Sequence, residues 1–329
     1  MLLLNRYEVE RLLDLDRLIE ALGPAMAELS AGRVSMPARI AALVHERRGL
    51  LAAMPVYLGS TRTLSTKLVS VFPENEAHGV HSHQAVILVF DAETGSPRAL
   101  MDGTFITAAR TAAGSALSAR LLARPDAGVL LIIGTGVQAR AHAAAIPRVR
   151  PIREIRVVGR DSQKAARLAA EITSKQGIQA LACEAVEQTF AGAHIICAAT
   201  HAAEPVVKGA WLQPGTHVTS VGLHPEGCEV DAEAVRKSWV VVESREAVLA
   251  SGPGGANDLK WPIRDGLIGE DHIQAEIGEL ISGAKPGRTS VEQITLYKSV
   301  GVAVQDAIAA RLVLDAAVKQ GVGREVEMS

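Results

Sequence analysis

Over residues 8–31, Leu12, Leu13, Leu15, Ile19, Leu22 and Met26 recur at helical spacing with charged residues between them. The pattern predicts an amphipathic helix pair, broken near Gly23-Pro24. Over residues 40–101 the period shortens. The runs LSTKLVSVF and QAVILVFD are rich in β-branched residues, and Glu93–Pro97 has turn composition, so strands and turns are expected. Thr104 to Leu122 returns to a helical pattern with Gly114 inside it. Past residue 122 come five short apolar runs: AGVLLIIG, IREIRVVG, GAHIICAAT, GTHVTSVG and SWVVVES. Helical stretches such as Gln138–Ile146 and Gln163–Lys175 separate most of them. Strands alternating with helices predict right-handed βαβ units and a parallel sheet. Leu296 to Ala317 reads as a final long helix. The fold class expected is α/β, a Rossmann-type doubly wound parallel sheet accompanied by a second, α+β domain.

The first apolar run leads directly into Gly134-Thr135-Gly136-Val137-Gln138-Ala139 and then into a helix. This is G-x-G-x-x-A in strand–turn–helix context, with a second strand following at the distance a βαβ unit requires. Gly134 permits the tight turn, Gly136 lets a pyrophosphate approach the backbone, and Ala139 allows close helix–strand packing. The free N–H groups at the helix start favour phosphate. At the end of the second strand stand Gly159, Arg160, Asp161 and Ser162. An NAD site usually places an acid there for the ribose hydroxyls. Arg160 suits a 2′-phosphate instead, with Ser162 and Lys164 as further donors. Asp161 is the complication, unless it serves as a helix N-cap. NADP(H) is therefore expected in preference to NAD(H).

Composition narrows the ligand class. The 329 residues are 48 % hydrophobic and 21 % charged, with 34 Lys+Arg against 36 Asp+Glu. That excludes a disordered chain and offers no basic excess for nucleic acid. Four Phe, three Tyr and three Trp make a base-stacking platform improbable. Cys183, Cys197 and Cys228 form no CxxC, which disfavours disulfide and zinc frameworks; Cys197 reads as core. No apolar run approaches membrane-spanning length, and MLLLNRYEVE is too short for a signal segment, so a reduced, cytoplasmic protein is expected. The HGVHSH segment gathers His78, His81 and His83, which without a supporting acid or cysteine motif reads as a polar loop or pocket wall rather than a metal site. Gln84 is expected to line the same cavity. Asn257-Asp258, after Gly252-Pro253-Gly254-Gly255, are placed on a mobile loop, with Asp258 as a reserve acid.

Several segments together resemble the ornithine cyclodeaminase/mu-crystallin family. They are Met36-Pro37-Ala38-Arg39-Ile40, Thr66-Lys67-Leu68-Val69, Leu88-Val89-Phe90-Asp91 with Thr94-Gly95, Ile106-Thr107-Ala108-Ala109-Arg110-Thr111-Ala112-Ala113, the glycine turn, and Tyr297-Lys298-Ser299-Val300-Gly301. The resemblance implies a discontinuous substrate-binding and dimerisation domain, residues 1–121 with 297–329, around a dinucleotide-binding domain of residues 122–296. It implies that Arg39, Lys67 and Arg110 converge on a substrate carboxylate, and that Thr111, Thr200, Val221, Gly222, Lys298 and Ser299 join the glycine turn in binding cofactor. It also implies a homodimer.

One position departs from the family. Its cyclodeaminases carry an Asp two residues after the glycine of an AVGxD-like segment, whereas Ser220-Val221-Gly222-Leu223-His224-Pro225 places His224 there. Cyclodeamination needs a base that also engages an ammonium group. Reducing a cyclic imine beside a carboxylate needs less, and His224 either supplies or relays the imine proton, or shapes the pocket and bonds the cofactor amide. Lys67 and His224 are the catalytic candidates. The expected activity is NAD(P)H-dependent reduction of Δ1-pyrroline-2-carboxylate to L-proline, extending to the six-membered homologue. The alternatives are ornithine cyclodeaminase activity and non-enzymatic ligand binding of the mu-crystallin kind.

Overall fold

A computed structural model describes residues 1–184, 186–251 and 254–327. They form two compact units, Met1–Arg110 with Val302–Ser329, and Thr111–Gly301. The helix Gly103–Leu122 begins in the first and ends in the second. Division inside this helix, rather than after it, differs from the boundary expected from the change in pattern. No helix among the described residues is long and apolar enough to cross a membrane.

The first unit is built on an eight-stranded mixed sheet. Its order is Arg324–Glu325, Leu2–Leu4, Pro97–Asp102, His83–Phe90, Thr63–Val71, Gly49–Leu58 and Val34–Ser35, with Ile40–Val44 also paired to Gly49–Leu58. Strand periodicity gives this sheet two unlike faces. Thr63, Ser65, Lys67 and Val69 point to the buried side, where the helix Ala303–Gln320 packs on Gly49–Leu58, Thr63–Val71 and His83–Phe90. On the other side the register aligns Ile40, Ala53, Leu68 and Val86 in a row across four strands. Ile40 and Val86 in that row, with Leu51 and Tyr57 beside it, are exposed.

The N-terminal helices are Arg6–Leu12 and Leu15–Ser30, so the break falls at Leu13-Asp14 and not at Gly23-Pro24. Asp14 caps the second helix by accepting the Arg17 N–H at 2.9 Å. Pro24 removes one helical hydrogen bond. The buried face of Leu18, Ile19, Leu22, Ala25 and Met26 nevertheless carries the helix through it.

The second unit holds eight parallel strands in the order Gln179–Cys183, Glu154–Val158, Val129–Ile133, Ile195–Ala198, His217–Ser220, Thr295–Lys298, Trp239–Val242 and Ile273–Glu276. Alternate residues of the central strands are buried on opposite faces: Leu131, Ile133, Ile196 and Val218 on one, Leu130, Ile132, Ile155 and Ile195 on the other. Burial on both faces explains the near-continuous apolar runs. Cys197 belongs to this core. Chain order reverses between Val129–Ile133 and Ile195–Ala198, the switch point where ligands bind in such sheets.

Two sequence expectations fail here. Thr295–Lys298 is a buried strand between His217–Ser220 and Trp239–Val242, and the final helix starts only at Ala303. Gly301 at φ 75° ends the extended segment before that helix. Asn257 and Asp258 open the helix Asn257–Arg264 and are buried rather than lying on a mobile loop. Gly252 and Pro253, assigned to that loop, lie outside the described residues.

Candidate active site

The second unit presents a nucleotide-type turn. Gly134 has φ 122°, and a Cβ on it would stand 2.4 Å from the Ala199 carbonyl oxygen, so only glycine fits. Gly136 caps the helix Val137–Ala145, and a Cβ there would meet nothing within 4 Å. That open space over a helix N-terminus is what a pyrophosphate requires. Ala139 is fully buried against the sheet. Val137 is exposed and Gln138 half-buried at the start of the helix. Thr135 leans over the tip of the neighbouring strand, where a Cβ on Gly159 would come within 2.6 Å of its methyl.

Beyond Gly159, Arg160, Ser162 and Lys164 are exposed. Asp161 caps the helix Ser162–Gln176, accepting the Lys164 N–H at 2.9 Å. That backbone bond, outweighing partial desolvation, holds its carboxyl below the usual range.

A chain of buried ionic groups supports the strand ends next to the switch point. The Glu229 carboxylate accepts from the Thr200 N–H and hydroxyl at 2.7 Å each, from the Ser220 hydroxyl at 2.7 Å and from the Gly222 N–H at 2.8 Å. A Cβ on Gly222 would lie 2.5 Å from that carboxylate. Val221 donates its N–H to the Ala198 carbonyl at 3.0 Å. Lys298 is buried with its ammonium on Ser220 Oγ (2.9 Å), the Gly222 carbonyl (2.7 Å) and Asp258 Oδ2 (3.0 Å). Asp258 in turn accepts the N–H groups of Glu229 and Val230. Ser299 is held by Glu243 at 2.9 Å. Lys298, with Asp258 behind it, therefore braces the loop of Gly222 from inside the fold, while Glu243 holds Ser299 and the N–H groups of Val300 and Gly301. The resemblance places Lys298 and Ser299 on the cofactor, and Asp258 was expected as a reserve acid; all three are buried and make these contacts within the second unit.

His224 is half-buried on that loop. Asn257 Nδ2 donates to its carbonyl at 3.1 Å, and its ring stands 4.9 Å from the His201 ring, centroid to centroid. The His224 Nδ1 accepts the Glu226 N–H at 3.1 Å. Nδ1 is thereby engaged as an acceptor, which leaves Nε2 as the ring nitrogen able to donate.

The first unit carries a cluster of cations. Lys67 and Arg110 meet on one carboxylate: Lys67 Nζ lies 2.8 Å from Asp306 Oδ2, and Arg110 Nε lies 3.1 Å from Asp306 Oδ1. Arg110 Nη1 also donates to Gln305 Oε1 at 3.0 Å. Arg39 is half-buried and near enough for its charge to act on Lys67. Burial presses the Lys67 ammonium down to about 8, opposed by Asp306 and reinforced by Arg110 and Arg39. Burial raises the Asp306 carboxyl, but the Arg110 and Lys67 charges outweigh it and leave the carboxyl below its ordinary range. His83 is pushed down to about 4, first by burial and then by the Lys67 and Arg110 charges, so it is neutral beside the cluster.

His83 and Gln84 alternate along their strand. His83 shares the Lys67 face and Gln84 points to the open face, so Gln84 does not line the clamp. His78 and His81 are exposed, and no group of three or more His, Cys, Asp or Glu among the described residues is placed to hold a metal. Thr111 is buried at the start of the second unit. Sequence reading missed Asp306, Gln305, Glu229 and Glu243. The available signal for the first two was a polar pair, Gln305-Asp306, within an otherwise apolar run.

A parallel sheet with this glycine turn at its switch point is the architecture of dinucleotide-dependent enzymes. The chain belongs to the ornithine cyclodeaminase/mu-crystallin family, whose model matches residues 1–321. It is 39 % identical over 302 residues to the ketimine reductase mu-crystallin of Mus musculus, covering 91 % of each chain. Its structure is similar to that of Thermococcus litoralis Δ1-pyrroline-2-carboxylate reductase in complex with NADH and L-proline, with TM-score 0.95 and 42 % identity, over 99 % of this chain and 100 % of that one. It is also similar to an archaeal alanine dehydrogenase dimer with bound NAD, with TM-score 0.92 and 30 % identity, over 100 % of this chain and 99 % of that one.

Proposed function

We propose that this protein reduces Δ1-pyrroline-2-carboxylate to L-proline, and Δ1-piperideine-2-carboxylate to L-pipecolate, at the expense of a nicotinamide dinucleotide. The buried Lys67–Asp306–Arg110 cluster carries the reading. Two buried cations, Lys67 and Arg110, share the single carboxylate of Asp306, and the net positive charge of that trio suits a small carboxylate ligand. The likeness to two reductases of cyclic imines supports it.

Arg39, Lys67 and Arg110 hold the substrate carboxylate and thereby orient the adjoining imine carbon. Gly134, Thr135, Gly136, Val137, Gln138 and Ala139 hold the pyrophosphate, with Thr111, Thr200, Val221 and Gly222 completing the cofactor set. The bound dinucleotide supplies the hydride that adds to the imine carbon. The imine enters protonated, so its nitrogen keeps the electron pair released from the C=N bond and becomes the ring amine. His224, with Nδ1 engaged by the Glu226 N–H, donates from Nε2 to an acceptor such as the cofactor amide. Lys67, pressed to about 8, is the clamp cation able to exchange a proton near neutral pH.

NADP(H) is the preferred cofactor. Arg160 with Ser162 and Lys164, exposed beyond the second strand, would hold an adenosine 2′-phosphate, and Asp161 is engaged as a helix cap. Following cofactor absorbance with the five-membered imine tests both statements. Both cofactors are expected to be oxidised, NADPH with a kcat/KM about tenfold higher, as a charge-assisted contact supplies. Oxidation of neither sinks the reductase reading. Proline and ammonia formed from L-ornithine without net cofactor consumption would replace it with cyclodeamination.

The protein acts as a homodimer, joined through the partly exposed apolar row of Ile40, Ala53, Leu68 and Val86. An uncovered apolar sheet face of this kind marks an interface. Light scattering on the eluting protein is expected to give twice the 34.6 kDa chain mass, and the mass of a single chain would refute the dimer.

A further inference from the structure

Asp306 is 2 % exposed in the first turn of the helix Ala303–Gln320, where the helix dipole favours an anion. Each of its oxygens takes a different cation, Oδ1 from Arg110 and Oδ2 from Lys67. These two cations stand on different elements, Lys67 on the strand Thr63–Val71 and Arg110 on the helix Gly103–Leu122. The adjacent Gln305, on the same helical turn, holds a second nitrogen of the Arg110 guanidinium. We propose that Asp306, braced by Gln305, is the positioning residue of the carboxylate clamp, locking Arg110 and Lys67 into one geometry for an anionic substrate. This rests on the carboxylate-binding reading of the cluster.

The physical reason is that the clamp is a set of like charges out of water. Burial, Arg110 and Arg39 all favour loss of the Lys67 proton, and Asp306 opposes them. His83, which faces the same cluster, is itself held neutral and adds no further positive charge. A carboxylate between two cations offsets their repulsion and fixes their separation, while leaving the cluster with excess positive charge for substrate. Asparagine at this position keeps the shape and one acceptor but removes the charge. Lys67 then loses its proton at lower pH, and a neutral amine binds a carboxylate weakly.

Pyrrole-2-carboxylate, a planar ring acid that accepts no hydride, separates binding from turnover. Its affinity is measured by calorimetry between about pH 6 and pH 10, where its carboxylate stays ionised. Wild-type affinity is expected to fall as the pH rises through about 8, the range in which Lys67 titrates. Asp306→Asn is expected to bind about tenfold or more weakly at neutral pH, with its fall-off displaced to lower pH by about one unit or more, and with dinucleotide affinity unchanged. Asp306→Glu restores the charge and is expected to recover part of the wild-type profile. Gln305→Leu, which removes the brace on Arg110 and the long 3.5 Å contact to the Val302 N–H but keeps the Asp306 charge, is expected to weaken binding about threefold to tenfold without displacing the profile, and it keeps the proposal testable if Asp306→Asn does not fold. Wild-type binding with an unshifted, equally tight Asp306→Asn profile overturns the positioning role alone, as does unchanged binding by Gln305→Leu. Dinucleotide binding without any pyrrole-2-carboxylate binding removes the clamp itself, and the proposal with it.

Discussion

Arg110→Ala is expected to lower kcat/KM for the cyclic imine by about two to three orders of magnitude while leaving dinucleotide affinity within about twofold of wild type. The guanidinium is 5 % exposed, and its loss has two consequences. The substrate carboxylate forfeits a charge-assisted contact in a desolvated site, which costs on the order of 2–5 kcal/mol. Asp306 and Gln305 also lose the donor that satisfies them, leaving a buried carboxylate against Lys67 alone. Cofactor affinity should be spared because the Arg110 guanidinium is engaged by Asp306 and Gln305 and is not among the groups assigned to the dinucleotide. Steady-state kinetics in both substrates, with a fluorescence titration of the reduced dinucleotide, make the comparison. Equal losses toward imine and dinucleotide would take Arg110 out of the substrate role.

Gly134→Val is expected to abolish measurable dinucleotide binding, raising Kd at least about 100-fold, and to lower the melting temperature. A β-branched residue at φ 122° is strained by about 1–3 kcal/mol even in open space, and here its Cβ also meets the Ala199 carbonyl at 2.4 Å. Gly136→Val separates stability from binding. Its Cβ meets no protein atom within 4 Å, so the variant should melt near wild type while its side chain occupies the space a pyrophosphate needs. Cofactor binding that survives in Gly136→Val would move the phosphate site away from this turn.

Much of the second unit was legible from local pattern. A strand buried on both faces gives a short apolar run, and a turn that needs φ near 122° selects glycine, so Val129–Ile133 and Gly134 announce themselves without reference to the rest of the chain. Thr295–Lys298 was not legible as a strand. Four residues carry too little periodicity to separate a buried strand from the start of a helix, and the neighbours that settle it, His217–Ser220 and Trp239–Val242, are distant in sequence. The break between the first two helices escaped for a different reason. Gly23-Pro24 is the stronger local breaker, but a buried apolar face outweighs one missing hydrogen bond, while the cap that matters is Asp14.

The candidate site divides in the same way. Arg39, Lys67 and Arg110 were singled out through the resemblance, and Gly134, Gly136 and Arg160 through turn chemistry and charge. Their counter-ions were not, because an acid in a helical run looks alike whether it faces water or a cation. Asp306 lies 196 residues from Arg110, and only folding brings it there. The same holds for Glu229, which ties Thr200 to Gly222, and for Asp258 beneath Lys298.

By itself the sequence determined what depends on neighbours along the chain: the periods of the strands and helices, the glycines of the dinucleotide turn, and the charge types available to meet an anionic substrate. The tertiary structure alone decided which of those charges are out of water and which are paired. Desolvation and Coulomb attraction both depend on distances through space, and these set the protonation of Lys67 and the neutrality of His83.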